Sequence, residues 1–306
     1  MDKKVSVIIV SYNVRSLLLK CLSSIERTKG DLNVEVIVVD NNSSDDSVAA
    51  VRREFPQTII KENNYNAGFS AANNQGMSLA SGKFFFLLNP DTELHEDALS
   101  LLFTKLNSSD NSVVAPQLLN SDGSIQYSCW KAPTLLSIFL ETMYLHRFIN
   151  LRIYKEDQYK TDFFPEAISG AALFFKSTLF MKMGGLDEQF FWSEDTDFCI
   201  RANQIAPLAY ISNSKVTHHS GKSSVDRYHI VLPNQVLSKV KLIRKHRPRF
   251  IYYAVLIVTL VFILSRMVVF GLLSPISRIY RKKATAYSIA LKKWFQLLIQ
   301  GEFSLV

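Results

Sequence analysis

The chain has 306 residues, 48% hydrophobic and 20% charged, a composition that builds a core and excludes whole-chain disorder. Its net charge of +8 divides unevenly: residues 1–238 hold 22 basic and 26 acidic groups, net −4, and residues 239–306 hold 13 and one, net +12. A mildly acidic body joined to a basic, apolar tail argues against nucleic acid as the partner and for a membrane surface.

The first apolar run, 5–10, is too short for the core of a secretion signal and continues into Ser11-Tyr12-Asn13. It predicts a buried first strand and a body that stays in the cytosol. Leu18, Leu22 and Ile25 predict a helix over 15–27. A second strand follows at 35–40, then Asn42, Ser43 and Ser44 with Asp45 and Asp46 open a helix over 48–55. A strand at 58–61, a small-residue helix at 70–80, and a strand at 83–88 stopped by Pro90 come next. A helix at 96–106 and a strand at 113–116 complete the series. Continuous apolar strands alternating with helices predict an α/β fold with a mostly parallel central sheet. Ligands bind such sheets at the carboxyl ends of the strands. Polar clusters stand at three of those ends: Ser11–Asn13, Asp40–Ser43 and Asn89-Pro90-Asp91.

Residues 117–167 are less regular. They hold a turn at Asp122-Gly123, and Trp130, Phe139, Tyr144, Phe148 and Tyr154 suggest a lid or acceptor-side region. Strand character returns over 168–176, then a helix over 177–183, an acidic helix start at Ser193-Glu194-Asp195, and a strand over 208–212. Cys21, Cys129 and Cys199 are far apart, without metal spacing, and read as buried reduced thiols.

Each polar cluster has two readings. Asp40 binds a ribose hydroxyl or a base imide, or caps the next helix. Asp91, beside Asn89, holds a divalent cation that bridges diphosphate oxygens, or caps the helix at 96. Glu194, Asp195 and Asp197 favour a helix N-terminus, or one of them serves as a general base whose pKa its neighbour holds up. His218 and His219 form a solvated turn, or one completes a cation's shell while Gly221 and Lys222 meet phosphate.

Taken in order, these segments resemble the inverting family-2 glycosyltransferases with the GT-A fold, in particular the bacterial rhamnosyltransferase-like branch. The resemblance rests on residues 5–13 (VSVIIVSYN), 38–45 (VVDNNSSD), 66–76 (NAGFSAANNQG), 87–92 (LLNPDT), 169–172 (SGAA), 184–191 (GGLDEQFF), 194–197 (EDTD) and 218–221 (HHSG). It implies that Ser11, Tyr12, Asn13 and Asp40 line the base and ribose of a nucleotide sugar. Asn66, Gly68 and Asn73 then shape the nucleotide and diphosphate side, and Asn42, Asn89 and Gly170 join the residues that bind the nucleotide sugar. Asp91 matches the last position of the family's metal-binding Asp-x-Asp, with Asn89 at the first, and His218 joins it on Mg2+ or Mn2+. Asp195 is implied as the base, with Glu194 beside it. The same resemblance makes 1–238 one glycosyltransferase domain, with a nucleotide half over 1–116 and an acceptor half over 117–238.

In the tail, 228–247 has helical spacing, and 250–265 runs 16 residues without a charge before Arg266. That run is about 24 Å of helix, short of a hydrocarbon core of about 30 Å. Crossing it fully places Arg266 inside, at about 2.5–3.5 kcal/mol, and puts one basic flank on the wrong side. The tail, 239–306, is therefore expected to lie in the membrane plane or re-enter as a hairpin, on the cytoplasmic face of the cell membrane, with a full span and a soluble core or oligomer helix as the other readings. The expected activity is transfer of a sugar from a nucleotide donor to a saccharide or lipid-linked acceptor in cell-surface polysaccharide synthesis. The other readings are a catalytically idle sugar-nucleotide or glycan binder of the same fold, and a nucleotidyltransferase. The second predicts a Gly-rich basic loop after the first strand, where Ser11–Arg15 stands instead.

Overall fold

The computed structural model describes residues 4–143, 145–149, 151–219 and 228–300. Packing separates two compact units. One is Met1–Lys131, Ile153–Glu188 and Glu194–Ser220; the other is Ala132–Arg152, Gln189–Ser193 and Gly221–Val306. The division expected at 238 falls inside a continuous helix, Tyr228–His246. Leu237 before that point and Val240 and Ile243 after it enter one apolar cluster, so the helix stays whole.

The strands of the first unit are β1 (Lys4–Ser11), β2 (Asn33–Asp40), β3 (Ile59–Glu62), β4 (Phe84–Leu88), β5 (Thr92–Leu94), β6 (Val113–Leu119), β7 (Cys129–Trp130), β8 (Ala167–Ile168), β9 (Ala172–Lys176) and β10 (Leu208–His218). Among the described residues, eight form one sheet in the order β3-β2-β1-β4-β9-β6-β10-β5, and β7 pairs with β8. The helices are α1 (Arg15–Thr28), α2 (Ser47–Glu54), α3 (Phe69–Leu79), α4 (Ala98–Asn107), α6 (Ser177–Met183) and α7 (Glu194–Asn203), with α5 (Leu135–Thr142) in the second unit.

Both faces of the sheet are covered. Val5, Val7, Ile9, Phe84, Phe86 and Leu88 join α1 and α4 on one side. Ile8, Phe85 and Leu87 join Met77 of α3 and Phe198 of α7 on the other. Successive side chains point to opposite faces, so a strand buried on both reads as one apolar run. The closeness of α3 demands a glycine: a Cβ on Gly76 would lie 2.4 Å from Ile8 Cγ2.

The sheet is more mixed than expected. β1, β2, β3 and β4 are parallel neighbours, as are β6 and β10. β9 runs antiparallel between β4 and β6, and β5 runs antiparallel on β10. A strand buried on both faces shows the same apolar run in either direction, so its direction is invisible in the sequence.

Two departures from the expected strands position the site. The run at 168–176 splits into β8 and β9, and residues 169–171 cross between them. β10 continues past 212 to His218, because its register on β6 slips between Ile211 and Lys215, beside Pro116. That bulge absorbs the proline and delivers His218 to the same edge as the ends of β1, β2 and β4. The three cysteines are buried and unpaired, as expected.

The second unit contains α5 and three long helices, α8 (Tyr228–His246), α9 (Arg249–Leu273) and α10 (Arg278–Gln300). The uncharged run and Arg266 belong to one unbroken helix, α9. Arg266 is 7% exposed. Its Nη2 donates to the Thr142 carbonyl at 3.1 Å, at the C-terminal end of α5, and its guanidinium lies 4.7 Å from the Phe262 ring. Helix-end carbonyls and an aromatic face both attract a cation. The charge expected to oppose the bilayer is therefore turned into the protein.

The aromatic residues of 117–167 divide as well. Tyr154 is buried and packs at a tilt against Phe163 in the first unit, so it is core. Phe139 and Phe148 belong to the second unit and are exposed. Tyr144, Ser220, Gly221 and Lys222 lie outside the described residues.

Candidate active site

At the end of β1, Ser11 is buried, its carbonyl accepts from Asn41 N at 2.8 Å, and its Oγ has no partner. Tyr12 is half-buried and Asn13 exposed. Asn13 takes φ +56°, a left-handed conformation that Asn tolerates. Its Oδ1 accepts from Ser44 N at 2.7 Å and its N–H donates to Ser43 Oγ at 2.9 Å, clamping the loop after β2.

Asp40, at the end of β2, is 3% exposed. Its Oδ2 accepts from Ser43 N at 2.8 Å, while Oδ1 is buried without a partner. The helix-capping alternative belongs to Asp45, which accepts from Arg15 N at 2.8 Å and Ser47 N at 3.2 Å and so serves α1 and α2. A buried carboxylate oxygen left without a donor is costly, and a base imide or ribose hydroxyl supplies one. Asn42 is exposed at φ +66°.

Asn41 was not singled out as a site residue in the sequence, yet it ties the next loop down. Its Oδ1 accepts from Asn63 and from Ala67 N, and its Nδ2 donates to the Gly68 carbonyl at 3.3 Å. Asn66 Oδ1 accepts from Gly68 N at 3.0 Å. Gly68, at φ +84°, starts α3. Asn73 sits apart from these loops, 1% exposed within α3, its amide donating to the Phe69 carbonyl one turn back.

Residues 169–171 join this side to the acids. Asn89 N donates to the Ala171 carbonyl at 2.9 Å, and Gly170 N donates to Asp195 Oδ2 at 3.0 Å. A Cβ on Gly170 would stand 3.3 Å from Asp195 Cβ and 3.5 Å from the Phe69 ring. Asp195 Oδ1 accepts from Thr196 N at 2.6 Å. Trp130 Nε1 donates to Thr196 Oγ1 at 3.0 Å, and that oxygen is 3.3 Å from Asp195 Oδ1.

Burial raises the Asp195 pKa against the N–H bonds from Gly170 and Thr196, which lower it. Burial and the Asp195 charge raise that of Glu194, whose Oε2 is buried without a partner. The third acid is structural: Asp197 is fully buried, pairs with Arg201 at 2.8 Å, and Arg201 reaches the Met183 and Gly185 carbonyls.

The last group is Asp91, Asn89 and His218. α4 is entered through Asp97, so Asp91 is not its cap. Asp91 Oδ1 lies 3.3 Å from His218 Nε2, and Asn89 Nδ2 lies 3.5 Å from the same nitrogen. His218 Nδ1 is 2.8 Å from Gln126 Oε1, while Gln126 Nε2 donates to Asn120 Oδ1 at 2.9 Å. An amide oxygen only accepts, so Nδ1 carries the hydrogen and Nε2 of the neutral ring is an acceptor. It faces a carboxylate, and two acceptors meeting this way need a cation or a proton between them.

The donor set fits a divalent cation. Among the described residues no three His, Cys, Asp or Glu side chains cluster, and a hard cation that completes its shell with phosphate oxygens needs few protein ligands. His219 is engaged as well, Nε2 to Glu93 at 2.9 Å and Nδ1 to Ser121 at 2.8 Å. The solvated-turn reading fails for both histidines. Gln126 lies in the irregular stretch, where periodicity carries no signal, and only proximity to the sheet edge reveals it; Trp130, expected as an acceptor-side aromatic, reaches the acids through Thr196.

A sequence model of glycosyl transferase family 2 matches residues 6–179. The chain is 35% identical over 126 residues to the GalNAc(5)-diNAcBac-PP-undecaprenol beta-1,3-glucosyltransferase of Campylobacter jejuni, covering 40% of each. It is 35% identical over 108 residues to the glycosyltransferase GlyA of Streptococcus pneumoniae, covering 34% of this chain and 15% of that one. The chain thus spans less than half the length of these curated relatives. In structure it resembles the mannosyltransferase PcManGT of Pyrobaculum calidifontis, solved with GDP-Man and Mn2+, with a TM-score of 0.56 over 97% of this chain and 88% of that one. At 18% identity that likeness shows the fold, which is GT-A. With the family's sequence model running through β1, the crossing at 169–171 and into α6, the chain belongs to glycosyl transferase family 2.

Proposed function

We propose that this glycosyltransferase moves a sugar from a nucleoside diphosphate donor to a hydroxyl of a saccharide or lipid-linked acceptor, with inversion, in cell-surface polysaccharide synthesis. L-Rhamnose is the candidate sugar, on motif resemblance alone. The observation that carries the reading is Asp195, held at the start of α7 by the Gly170 and Thr196 N–H groups.

Asp195 accepts the acceptor hydroxyl's proton as that oxygen bonds to the anomeric carbon and the bond to the diphosphate breaks. Its burial keeps its proton affinity above that of a solvated carboxylate, which suits a general base. Asp40 and Ser11 orient the nucleoside with their unpartnered oxygens. Asp91 and His218, with Asn89 beside them, hold Mg2+ or Mn2+. Such a cation supplies positive charge against the departing diphosphate. The work is proposed to take place at the cytoplasmic face of the cell membrane.

A panel of nucleotide sugars offered to the purified protein tests this, reading nucleoside diphosphate release and the anomer formed. Release with one donor and an inverted product is expected. No release with any donor moves the assignment to an idle sugar-nucleotide binder; a retained anomer removes Asp195 as sole base.

A further inference from the structure

We infer that the second unit binds an anionic bilayer with α9 lying in the membrane plane, its exposed apolar stripe forming the inserted face. This rests on the membrane-surface reading above and adds the face and the orientation.

Phe250, Ile257, Val261, Leu264, Val268 and Leu272 are between 44% and 76% exposed. Their spacing of three, four and seven residues puts them on one side of the helix. They form an uncharged stripe about 33 Å long, far beyond the scattered apolar exposure of an ordinary surface. On the opposite side Val255, Thr259, Ile263 and Arg266 are buried within the unit. α9 is thus half solvated by protein and half not, which suits a helix lying at an interface.

The neighbour of α9 excludes a crossing. Tyr280 and Tyr287 of α10 contact Phe270, and Tyr287 also contacts Phe262. Partners descend along α9 as α10 ascends, so the two lie side by side and antiparallel. If α9 crossed the bilayer or re-entered it deeply, α10 would go with it. Yet only nine positions separate Lys283 from Lys292, about 14 Å of helix against a hydrocarbon core of about 30 Å. One of those lysines would enter hydrocarbon. Lying flat, α9 presents its stripe alone. Residues 239–300 contain 13 basic side chains and no acid; with Arg266 buried and Lys239 paired to Glu141, the other 11 favour an anionic lipid surface.

The test uses the full chain and vesicles of phosphatidylcholine, with or without about one third phosphatidylglycerol. Ile257→Cys, Val261→Cys, Leu264→Cys and Val268→Cys, made singly, take a spin label; Cys21, Cys129 and Cys199 are buried and stay unlabelled. All four labels are expected at one shallow depth, about 5–10 Å into the headgroup–acyl boundary. Binding is expected to fall at least about tenfold on neutral vesicles, and again in the Ile257→Lys, Leu264→Lys double variant, with nucleoside diphosphate binding unchanged. Depths passing through the bilayer centre near Val261 would overturn the in-plane orientation and leave membrane binding standing. Equal binding to neutral vesicles would overturn the anionic partner. No binding to either vesicle would overturn the membrane reading itself.

Discussion

Replacing Asp195 by Asn separates chemistry from folding and from donor binding. Both carboxylate oxygens accept backbone N–H groups, from Gly170 at 3.0 Å and Thr196 at 2.6 Å. The amide keeps one oxygen and sets an NH2 against the other donor, a cost of about 1–3 kcal/mol. The variant also relieves the buried Glu194–Asp195 repulsion, so the net change in stability is expected within about 2 kcal/mol. Loss of a general base lowers turnover about 10²–10⁴-fold, or about 3–5 kcal/mol in the barrier. Asp40 and Ser11, at the ends of other strands, are untouched, so the dissociation constant of the nucleoside diphosphate stays within about twofold. The measurements are single-turnover transfer, calorimetric titration with the nucleoside diphosphate, and a melting curve. Turnover within threefold of the parent would refute the assignment of Asp195 as base. Gly170→Ala is the graded companion. Its Cβ meets Asp195 Cβ at 3.3 Å, and a shift of a few tenths of an ångström is expected to slow transfer about three- to tenfold.

Other outcomes follow from single contacts. Gln126→Leu removes the acceptor that holds His218 in the Nδ1–H form; Mn2+ affinity in the presence of nucleoside diphosphate, read by electron paramagnetic resonance, is expected to fall about 10–100-fold. Gln126→Glu keeps an acceptor and restores much of it, and equal affinity in the Leu variant would dismiss the tautomer argument. Glu194 has its pKa raised in the fold by burial and by Asp195. The unfolded chain releases that proton in the ordinary carboxylate range, so the folded state binds more protons and stability declines as pH rises from there. Glu194→Gln is expected to flatten the melting temperature against pH and gain on the parent from pH 5 to 8; parallel curves would contradict it. Gly76→Ala drives a Cβ to 2.4 Å from Ile8 Cγ2, and chemical denaturation is expected to show a loss of about 1–3 kcal/mol.

Much of the site was legible because α/β sheets place ligands at strand ends. Ser11, Asp40, Asn89 and Asp91 each follow an apolar run, so their location came with the strands themselves. Asn73 and Asp197 show the limit of motif reading. Both stand in matched segments, but the first spends its amide within α3 and the second anchors Arg201. Asn41, Gln126 and Trp130 act through hydrogen bonds to residues at least 22 positions away, and no local pattern announces such contacts.

Local chemistry along the chain sufficed for the helices and apolar strands of the body, the division of charge between body and tail, and the acids that stand at strand ends. These depend on side-chain periodicity and composition, which survive without the fold. Three matters waited for packing. The direction of β9 depends on distant partners, since a doubly buried strand looks alike both ways, and β5, a three-residue edge strand, is defined only by its pairing with β10. The split at 169–171 and the slip in β10, which bring Gly170 to Asp195 and His218 to Asp91, depend on pairing between strands far apart in the chain. And Arg266, a charge within an apolar run, found its counterpart only when α5 placed the Thr142 carbonyl beside it. That contact leaves α9 with an uncharged outer face, where the sequence alone set Arg266 against burial in the bilayer.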